Sequence, residues 1–411
     1  MATTFQHTNL QGRARRYAIV INLLYGRVGL AGSLKAAHRG ARHLSLGVRL
    51  SDPTQLDRAL KLAEPLALHA GTENVLAQRD GGLVFYQFQL AQGFWEQYTR
   101  ADVSGLAVGL AESRRPVLFD LDPPHALVAG TTGSGKSETL KSILLALLTT
   151  YTPQELGVIL VDPHRDYSDF ANVAHLVMPI ANEPGDIRQA LAWANNELAH
   201  RKAEDIKEGR AIVIAVDEAD LALADKMNLE AAKNIAKQAR KYRVHLIVST
   251  HKPLHSDLPG ILDMLINRFI GLVSDAKISA TLTGHAGLQA HKLTGKGDFL
   301  HIAGAICERF QVAMATRQDY EALPRTEVKP VEVNALDLLT LPPEKPIGRP
   351  TLEVDPVIAA QYFWRNPNSI SIAMARELFN LSRNGHDLHK KFVLDFITEL
   401  RRLRAAAQLG G

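Results

Sequence analysis

The sequence predicts an α/β fold: a core built on a parallel sheet, a small α+β subdomain before it and a helical segment after it. Short β-branched runs alternate with amphipathic helical stretches between residues 122 and 317. This alternation is typical of a doubly wound parallel sheet. Mixed periodicities precede the core, and a proline-rich stretch follows it. We therefore expect four parts, namely 1–120 (the α+β subdomain), 121–321 (the core), 322–351 (a linker) and 352–411 (a helical tail).

The composition excludes several classes of protein. The 411 residues are 46% hydrophobic and 22% charged, which is ordinary for a globular chain and argues against a disordered or collagen-like one. The formal net charge of +4 permits a nucleic-acid partner without requiring one. Cys307 is the single cysteine, so an intramolecular disulfide and a cysteine-rich zinc module are both excluded.

The N-terminal part contains an apolar run, Tyr17 to Leu34, that follows three arginines. A membrane helix needs about 20 predominantly apolar residues, and Asn22, Arg27 and three glycines interrupt this run. We expect a surface helix whose apolar face packs on the body, no membrane span and a cytoplasmic location. Further along, apolar residues recur every three to four positions in 56–68, which predicts a helix. They recur at every second position in 83–90, which predicts a strand.

The strongest motif is GTTGSGKS, which lies between a predicted strand and a predicted helix. This pattern is typical of a loop that cradles nucleotide phosphates with its backbone N–H groups. Lys136 is expected to reach the β- and γ-phosphates of ATP, and the Ser137 hydroxyl to bind Mg²⁺. The predicted nucleotide-binding residues are Gly130, Thr131, Thr132, Gly133, Ser134, Gly135, Lys136, Ser137 and Glu138.

Two acids end the buried run from Ile212 to Val216. Ligands of open α/β sheets bind at the carboxyl ends of the strands. Asp217 is expected to hold Mg²⁺ and Glu218 to polarise the attacking water, so the pair favours hydrolysis over binding alone. A further strand ends in Thr250 and His251, which we predict to lie beside the γ-phosphate as sensors.

The order of the motifs along the chain resembles that in the FtsK/SpoIIIE-type DNA translocases, within the HerA/FtsK group of P-loop ATPases. The resemblance rests on six matches over about 200 residues: PPHALVAGTTGSGKSETL, ILVDP, QALAWANNELAHR, IAVDEADL, KQARKYRVHLIVSTHKP and GKGDFLH. It implies a RecA-like core, ATP and Mg²⁺ as ligands, and a homohexameric ring that moves double-stranded DNA through its centre.

The resemblance also assigns roles to residues outside the nucleotide loop. It places an arginine finger, offered to a neighbouring subunit, on Arg240, and DNA contacts on Lys252 and on Lys277, in a second pore loop at about 274–281. Spacing alone predicts that Lys233, Lys237 and Lys241 form a basic stripe on one helix face. The sequence departs from the family pattern where His251 replaces a glutamine and Ala280 an arginine.

The tail and the cargo leave alternatives open. The turn LSRNG between two helical stretches is the spacing of a helix-turn-helix, with His386, His389, Lys390 and Lys391 opening a recognition helix; a helical packing or docking tail is the alternative. For the whole chain, the alternatives to duplex translocation are a helicase or conjugation or phage pump acting on single strands, and an ATP-switched DNA-binding scaffold.

Overall fold

The computed structural model describes residues 2–251, 258–284, 288–304, 306–331 and 394–399, and the side chains of residues 2–10, 239 and 240 lie outside this description. The chain divides into two units, Met1–Glu332 and Val333–Gly411. The first carries the nucleotide loop and the strands that lead to it. In the second, residues 394–399 are helical.

The N-terminal layer is a four-stranded antiparallel sheet in the order β1-β2-β4-β3. Its elements are α1 (Ala2–Val28), β1 (Gly32–Arg39), β2 (His43–Leu50), α2 (Leu56–Leu60), α3 (Ala63–Ala70), β3 (Val75–Asp80) and β4 (Leu83–Gln89). Side chains of β2 alternate between two faces. Leu44, Leu46 and Val48 join the core formed with the helices, whereas His43 and Ser45 face a buried polar layer.

The predicted surface helix is confirmed for most of its length. Tyr17, Ile21, Leu24 and Tyr25 of α1 are buried, and Tyr17 stacks on Phe88 with a ring-centroid distance of 4.2 Å. The predicted run extends to Leu34, but α1 ends at Val28, because Gly29 turns the chain with a φ of 67° into β1. Among the described residues, no helix combines the length and apolar character that a membrane crossing requires.

The main sheet has the strand order β7-β6-β14-β13-β12-β8-β11-β10-β9, and β5 pairs with β14 outside this path. Its remaining elements, in chain order, are β5 (Tyr98–Thr99), β6 (Ala107–Ala111), β7 (Pro116–Leu118), β8 (His125–Ala129), α4 (Lys136–Thr150), β9 (Leu156–Val161), α5 (Pro184–Ala203), β10 (Ala211–Val216), α6 (Ala219–Ala222), α7 (Lys226–Gln238), β11 (Val244–Thr250), β12 (Asn267–Ile270), α8 (Ala276–Thr283), β13 (Asp298–Ala303), β14 (Ile306–Met314) and α9 (Arg317–Glu321).

Five β-branched runs coincide wholly or in part with β8 to β12, and these five strands run parallel, which confirms the α/β core. The fifth run extends from Phe269 to Ser274, but β12 ends at Ile270, so only its start is strand. The sheet as a whole is mixed, because β12, β13, β14, β6 and β7 pair antiparallel in turn. Antiparallel strands such as β13 and β14 are joined by a hairpin and need no crossover helix. The antiparallel part of the sheet therefore lacks the alternation of strands and helices from which the parallel sheet was predicted. Strands β6 and β7 belong to this sheet although the predicted boundary falls at residue 120, and that boundary stays a prediction.

Helices cover the parallel strands on both faces. Leu140, Ile143 and Leu144 of α4 pack with Val213 and Ala215 of β10 in one hydrophobic core cluster. The alternate residues of β10 and β11 point to the other face, where α7 lies against β11 and packs on α5. Strands buried on both faces read as continuous apolar runs, and for this reason their presence was evident from the sequence.

The end of the first unit follows the predicted linker only in part. Residues 322–331 contain no helix, in agreement with their prolines. They stay against the body, because the Ala174 N–H donates to Pro324 O at 2.8 Å and Arg325 donates to the carbonyls of Asp169 and Tyr320. The predicted helix-turn-helix residues, and the linker from residue 332 onward, lie outside the described residues.

Candidate nucleotide site

The loop between β8 and α4 has the backbone that a phosphate cradle requires. Gly130, Gly133 and Gly135 have φ values of 159°, 79° and 103°, of which the last two lie well within the left-handed region that favours glycine. The helix then begins at Lys136, so its free N–H groups and positive end face the loop. This part of the site forms as predicted.

The loop is anchored from behind by two backbone segments. The Thr131 N–H and hydroxyl donate to Leu272 O at 2.7 and 3.0 Å. On the other side, the Lys296 N–H donates to Gly133 O at 3.0 Å and the Gly297 N–H to Ser134 O at 2.7 Å. The carbonyls of Gly133 and Ser134 are therefore bonded to residues 296 and 297 and turned away from the place where the phosphates would bind. Of the other predicted residues, Thr132 is exposed, and Glu138 is half-buried with an oxygen 3.6 Å from Lys141 Nζ.

Lys136 is a buried cation at the centre of the site. Its Nζ contacts His251 Nδ1, and Nε2 of the same ring lies 2.5 Å from Glu218 Oε1. Burial lowers the pKa of Lys136, and the carboxylates of Glu218, Asp217 and Asp220 oppose that shift. His251 therefore connects the phosphate-loop lysine to the predicted water-polarising acid.

Asp217 and Glu218 directly follow the last residue of β10, as predicted. Asp217 is 2% exposed, and its N–H donates to Val161 O at 3.0 Å, so the neighbouring strand fixes its backbone. Glu218 adopts left-handed backbone geometry, with a φ of 46°, and begins α6. A non-glycine residue in this region is strained, and such strain is concentrated at functional sites.

The residues present fit a magnesium–nucleotide complex. Asp217 Oδ1 and the Tyr167 hydroxyl are buried and make no hydrogen bond within the described part of the chain. Proteins hold Mg²⁺ through one or two carboxylates together with substrate phosphates and water. Ser137 and Asp217 supply such a donor set. The described residues contain no cluster of three or more acidic, histidine or cysteine ligands.

Sequence reasoning missed Tyr167 and Asp162. Burial and the adjacent Asp217 carboxylate raise the pKa of Tyr167 well above its usual range. Asp162 follows β9, and its carboxylate accepts the N–H groups of Asp166 and Tyr167 at 3.1 and 2.9 Å, which holds Tyr167 beside Asp217. Asp162 stands at the end of a buried strand just as Asp217 does, and that position was the available signal.

The predicted sensor residues lie at the end of β11. The Thr250 hydroxyl lies 3.4 Å from Asp220 Oδ1 and the residue is fully buried. His251 is in contact with both halves of the site. The structure thus brings Lys136, Glu218, Thr250 and His251 together.

Arg240 lies in the short 3-10 turn Ala239–Tyr242 that follows α7. The neighbouring Arg201 fixes this turn, because its Nη1 donates to Tyr242 O at 2.9 Å while its Nε donates to Glu197 at 2.6 Å. The predicted basic stripe is wrong in one respect. The helix ends at Gln238, so Lys241 lies in the turn and not on the helix with Lys233 and Lys237.

The predicted DNA contacts are remote from the P-loop in sequence. Lys277 is exposed on α8. The segment predicted as a second pore loop is largely this helix, which begins where Asp275 accepts the Ile278 N–H at 2.9 Å. Lys252 lies outside the described residues.

A phosphate loop between a parallel strand and a helix, with an acid pair ending a neighbouring strand, defines the class: a P-loop ATPase core of RecA-like type. Residues 89–277 match the model of the FtsK/SpoIIIE family. This match confirms, over this segment, the resemblance found in the sequence.

Individual relatives agree with this family. The chain is 34% identical to DNA translocase SftA of Bacillus subtilis (strain 168) over 221 residues, which cover 48% of this chain and 23% of that protein. It is 27% identical to DNA translocase FtsK of Staphylococcus aureus (strain Mu50) over 313 residues, 68% of this chain and 40% of that protein. The chain thus spans less than half of either relative. Among solved structures, EssC (ATPases 2 and 3) of Geobacillus thermodenitrificans aligns with a TM-score of 0.48 and 15% identity over 55% of this chain and 50% of that one.

Proposed function

We propose that this chain is an ATP-driven translocase of double-stranded DNA. The observation that carries the proposal is the contact of His251 with both Lys136 and Glu218, which joins a phosphate loop to a strand-end acid. The family of residues 89–277 supports DNA as the cargo. Because the reaction needs ATP and duplex DNA together, we place it in the cytoplasm.

The residues divide the chemistry between binding and hydrolysis. The N–H groups of the glycine loop and Lys136 bind the phosphates, and Ser137 and Asp217 hold Mg²⁺. Bound there, Mg²⁺ would offset the charge of the phosphates. Glu218 orients and polarises the attacking water. Its carboxylate contacts His251, which in turn contacts Lys136 of the loop. We assign Thr250 and His251 the role of sensors. The contacts of His251 with Lys136 and Glu218 and of Thr250 with Asp220 support this role.

The decisive experiment measures ATP turnover and the displacement of a triplex-forming strand from duplex DNA. Duplex DNA is expected to stimulate turnover, and the triplex strand to be displaced only when ATP is hydrolysed. Glu218→Gln should abolish both while it retains nucleotide binding. Stimulation by single strands alone would favour the helicase or pump. Triplex displacement that survives Glu218→Gln would favour the scaffold.

We further propose that the active form is a homohexamer in which Arg240 acts on the nucleotide of the neighbouring subunit. An arginine supplied in trans stabilises transition-state charge. Mixing Arg240→Ala with Lys136→Ala protein should restore turnover, since mixed rings contain interfaces with an intact loop and an intact finger. Lys241→Ala, in the same turn, is the matched control and should need no partner. Absence of rescue in mixed rings would contradict action in trans.

The proposed DNA contacts are Lys252 and Lys277. Removing a cation that binds phosphates lowers the affinity for DNA of every sequence to the same extent. Lys277→Glu should lower duplex affinity and reduce the salt dependence of binding, whereas Lys207→Glu, at an exposed lysine paired with Asp205, should not. Equal effects of the two changes on the salt slope would remove Lys277 from the DNA path.

A further inference from the structure

The loop Thr294–Gly297 lies between the nucleotide loop and the N-terminal sheet. The Lys296 and Gly297 N–H groups donate to Gly133 O and Ser134 O of the nucleotide loop. The carbonyls of Gly295 and Lys296 accept from Arg42, at the end of the turn that leads into β2, and Lys296 O also accepts from Gln311 Nε2 at 3.1 Å. The segment therefore connects Arg42 of the N-terminal layer with the nucleotide loop.

Arg42 holds this loop by several bonds at once. Its Nη1 donates to Gly295 O at 2.6 Å and to Thr294 Oγ1 at 3.1 Å, and its Nη2 donates to Lys296 O at 2.5 Å. The guanidinium lies 4.6 Å from the ring centroid of Trp95, and Arg42 is 3% exposed. A buried, stacked guanidinium with donors in a planar fork is pre-organised for such a role.

The loop cannot hold its shape by itself. Gly295, Lys296 and Gly297 have φ values of 70°, 51° and 89°, three consecutive residues in left-handed geometry. Lys296 is strained there, so neighbouring contacts must maintain the conformation. The outer side of the loop borders a cleft of about 570 Å³ lined in part by Thr294 and Lys296, which gives little packing from that direction.

The fit between this loop and the nucleotide loop has almost no tolerance. A Cβ at Gly135 would lie 2.5 Å from Gly297 N, a distance that side-chain carbons do not reach. Displacement of the Thr294–Gly297 loop would therefore release Gly133 and Ser134, or press on Gly135. Either change alters the direction of the N–H groups that face the phosphates.

The far end of the loop is fixed independently of Arg42. Asp298 Oδ2 accepts the Thr294 N–H and hydroxyl at 2.7 and 2.8 Å, and Arg309 pairs with both carboxylate oxygens. Arg309 also reaches Gln87 and His43 of the N-terminal sheet at 2.9 and 2.8 Å. These contacts position Asp298 and Thr294, whereas only Arg42 among the described side chains of the N-terminal layer binds the carbonyls of Gly295 and Lys296.

We propose that Arg42 is a positioning residue for the nucleotide site: through the Thr294–Gly297 loop it fixes the phosphate loop, so that the N-terminal sheet sets the affinity for ATP. The part that concerns affinity rests on the proposed function, since ATP must bind the loop, whereas the positioning itself does not.

The test compares Arg42→Ala with Arg39→Ala. Arg39 is a matched control because it lies on the same sheet and binds Glu96 and Phe94 O without touching the Thr294–Gly297 loop. Hydrogen exchange of the nucleotide-free protein is measured over 130–137 and 293–298, and the affinity for a fluorescent ATP analogue is measured by titration. Arg42→Ala is expected to speed exchange in both segments and to weaken nucleotide binding by about tenfold, which corresponds to about 1.4 kcal/mol. The KM for ATP should rise more than kcat falls, because Lys136 and Glu218 are unchanged.

A merely structural role would lower the melting temperature of both variants and leave exchange at 130–137 alike in the two, and this result would overturn the proposal. Should Arg42→Ala fail to fold, Arg42→Lys retains the charge but not the planar fork, and an intermediate loss of affinity is expected. Wild-type exchange and affinity in Arg42→Lys would likewise overturn it. If wild-type protein binds no ATP analogue while Arg42→Ala still speeds exchange at 130–137, the proposed function fails and the positioning stands.

Discussion

Nε2 of His251 lies 2.5 Å from Oε1 of Glu218, while Nδ1 of the same ring contacts the ammonium of Lys136. Nδ1 can accept from the ammonium while Nε2 donates to the carboxylate. His251 stands where the FtsK/SpoIIIE-type pattern has a glutamine. It therefore links Glu218, the acid proposed to polarise water, to Lys136, the cation proposed to bind phosphate.

His251→Ala should lower kcat for ATP hydrolysis by roughly 10- to 100-fold. A hydrogen bond to a charged group contributes about 1.5–3 kcal/mol, and this variant removes such a bond. His251→Gln should retain more activity, because a glutamine amide can also donate to Glu218 and accept from Lys136. Steady-state ATP hydrolysis measures both. His200→Gln, at an exposed histidine of α5, is the control, and an equal loss in the three variants would argue against the bridge.

Gly135→Ala should abolish nucleotide binding. The added Cβ would lie 2.5 Å from Gly297 N, and the φ of 103° is unfavourable for any side chain. Titration with a fluorescent ATP analogue gives the affinity, and circular dichroism checks that the variant folds. Gly185→Ala, where a Cβ meets nothing within 4 Å, should bind as wild type does. If Gly135→Ala binds the ATP analogue with wild-type affinity, the Thr294–Gly297 loop can move to accommodate the added Cβ, and the prediction is wrong.

Arg309→Met should destabilise the protein by about 3–5 kcal/mol, because it leaves Asp298 buried without its partner. In the native protein burial acts to raise the pKa of Asp298, but the Arg309 guanidinium and its hydrogen bonds outweigh burial and lower that pKa strongly. Without Arg309 the folded protein would take up a proton at Asp298, so the deficit in stability should shrink as the pH falls from 7 to 5.

Chemical denaturation followed by tryptophan fluorescence measures this deficit. Arg317→Ala is the control, since its pair with Glu321 lies at the surface and the arginine side chain is 90% exposed. A surface pair of this kind contributes less than about 0.5 kcal/mol. Similar losses in the two variants would contradict the importance that we assign to the buried pair.

Stability should fall below neutral pH because of two buried histidines. Burial lowers the pKa of His125 to about 4 and that of His245 to about 4. The unfolded chain, with histidine pKa values near 6.5, binds more protons than the folded one between about pH 6.5 and 4. Their contribution is therefore complete above pH 6.5 and is lost as the pH falls through this window, by up to about 1.4 kcal/mol per pH unit for each histidine.

Urea unfolding at pH 7.5, 6 and 5 tests this slope. The ring of His125 accepts the Leu246 N–H at Nδ1 with a distance of 3.0 Å, and protonation removes that acceptor. His125→Asn, whose amide oxygen is a possible replacement acceptor, should show a shallower dependence on pH. An unchanged slope in this variant would mean that other groups cause the acid loss.

Local patterns were sufficient to predict the parallel half of the sheet and the nucleotide loop. Strands β8 to β11 are buried on both faces and are therefore rich in apolar residues. The glycines of the loop and the acids after β10 occupy fixed positions relative to these strands, so their chemistry follows from spacing alone. The antiparallel half was not evident, because β6 and β14 are distant in sequence and pair only in the folded protein.

The sequence by itself determined the class of ATPase, the phosphate loop and the acid pair, since each depends on a short segment whose backbone geometry its own residues dictate. Tertiary structure alone decided that Tyr167 lies beside Asp217, that His251 bridges Lys136 and Glu218, and that Arg42 reaches the loop behind Gly135. These contacts join residues that are 33 to 253 positions apart. The first two depend on which strands lie side by side in the main sheet, and the third depends on how the two sheets pack, which no local pattern of residues encodes.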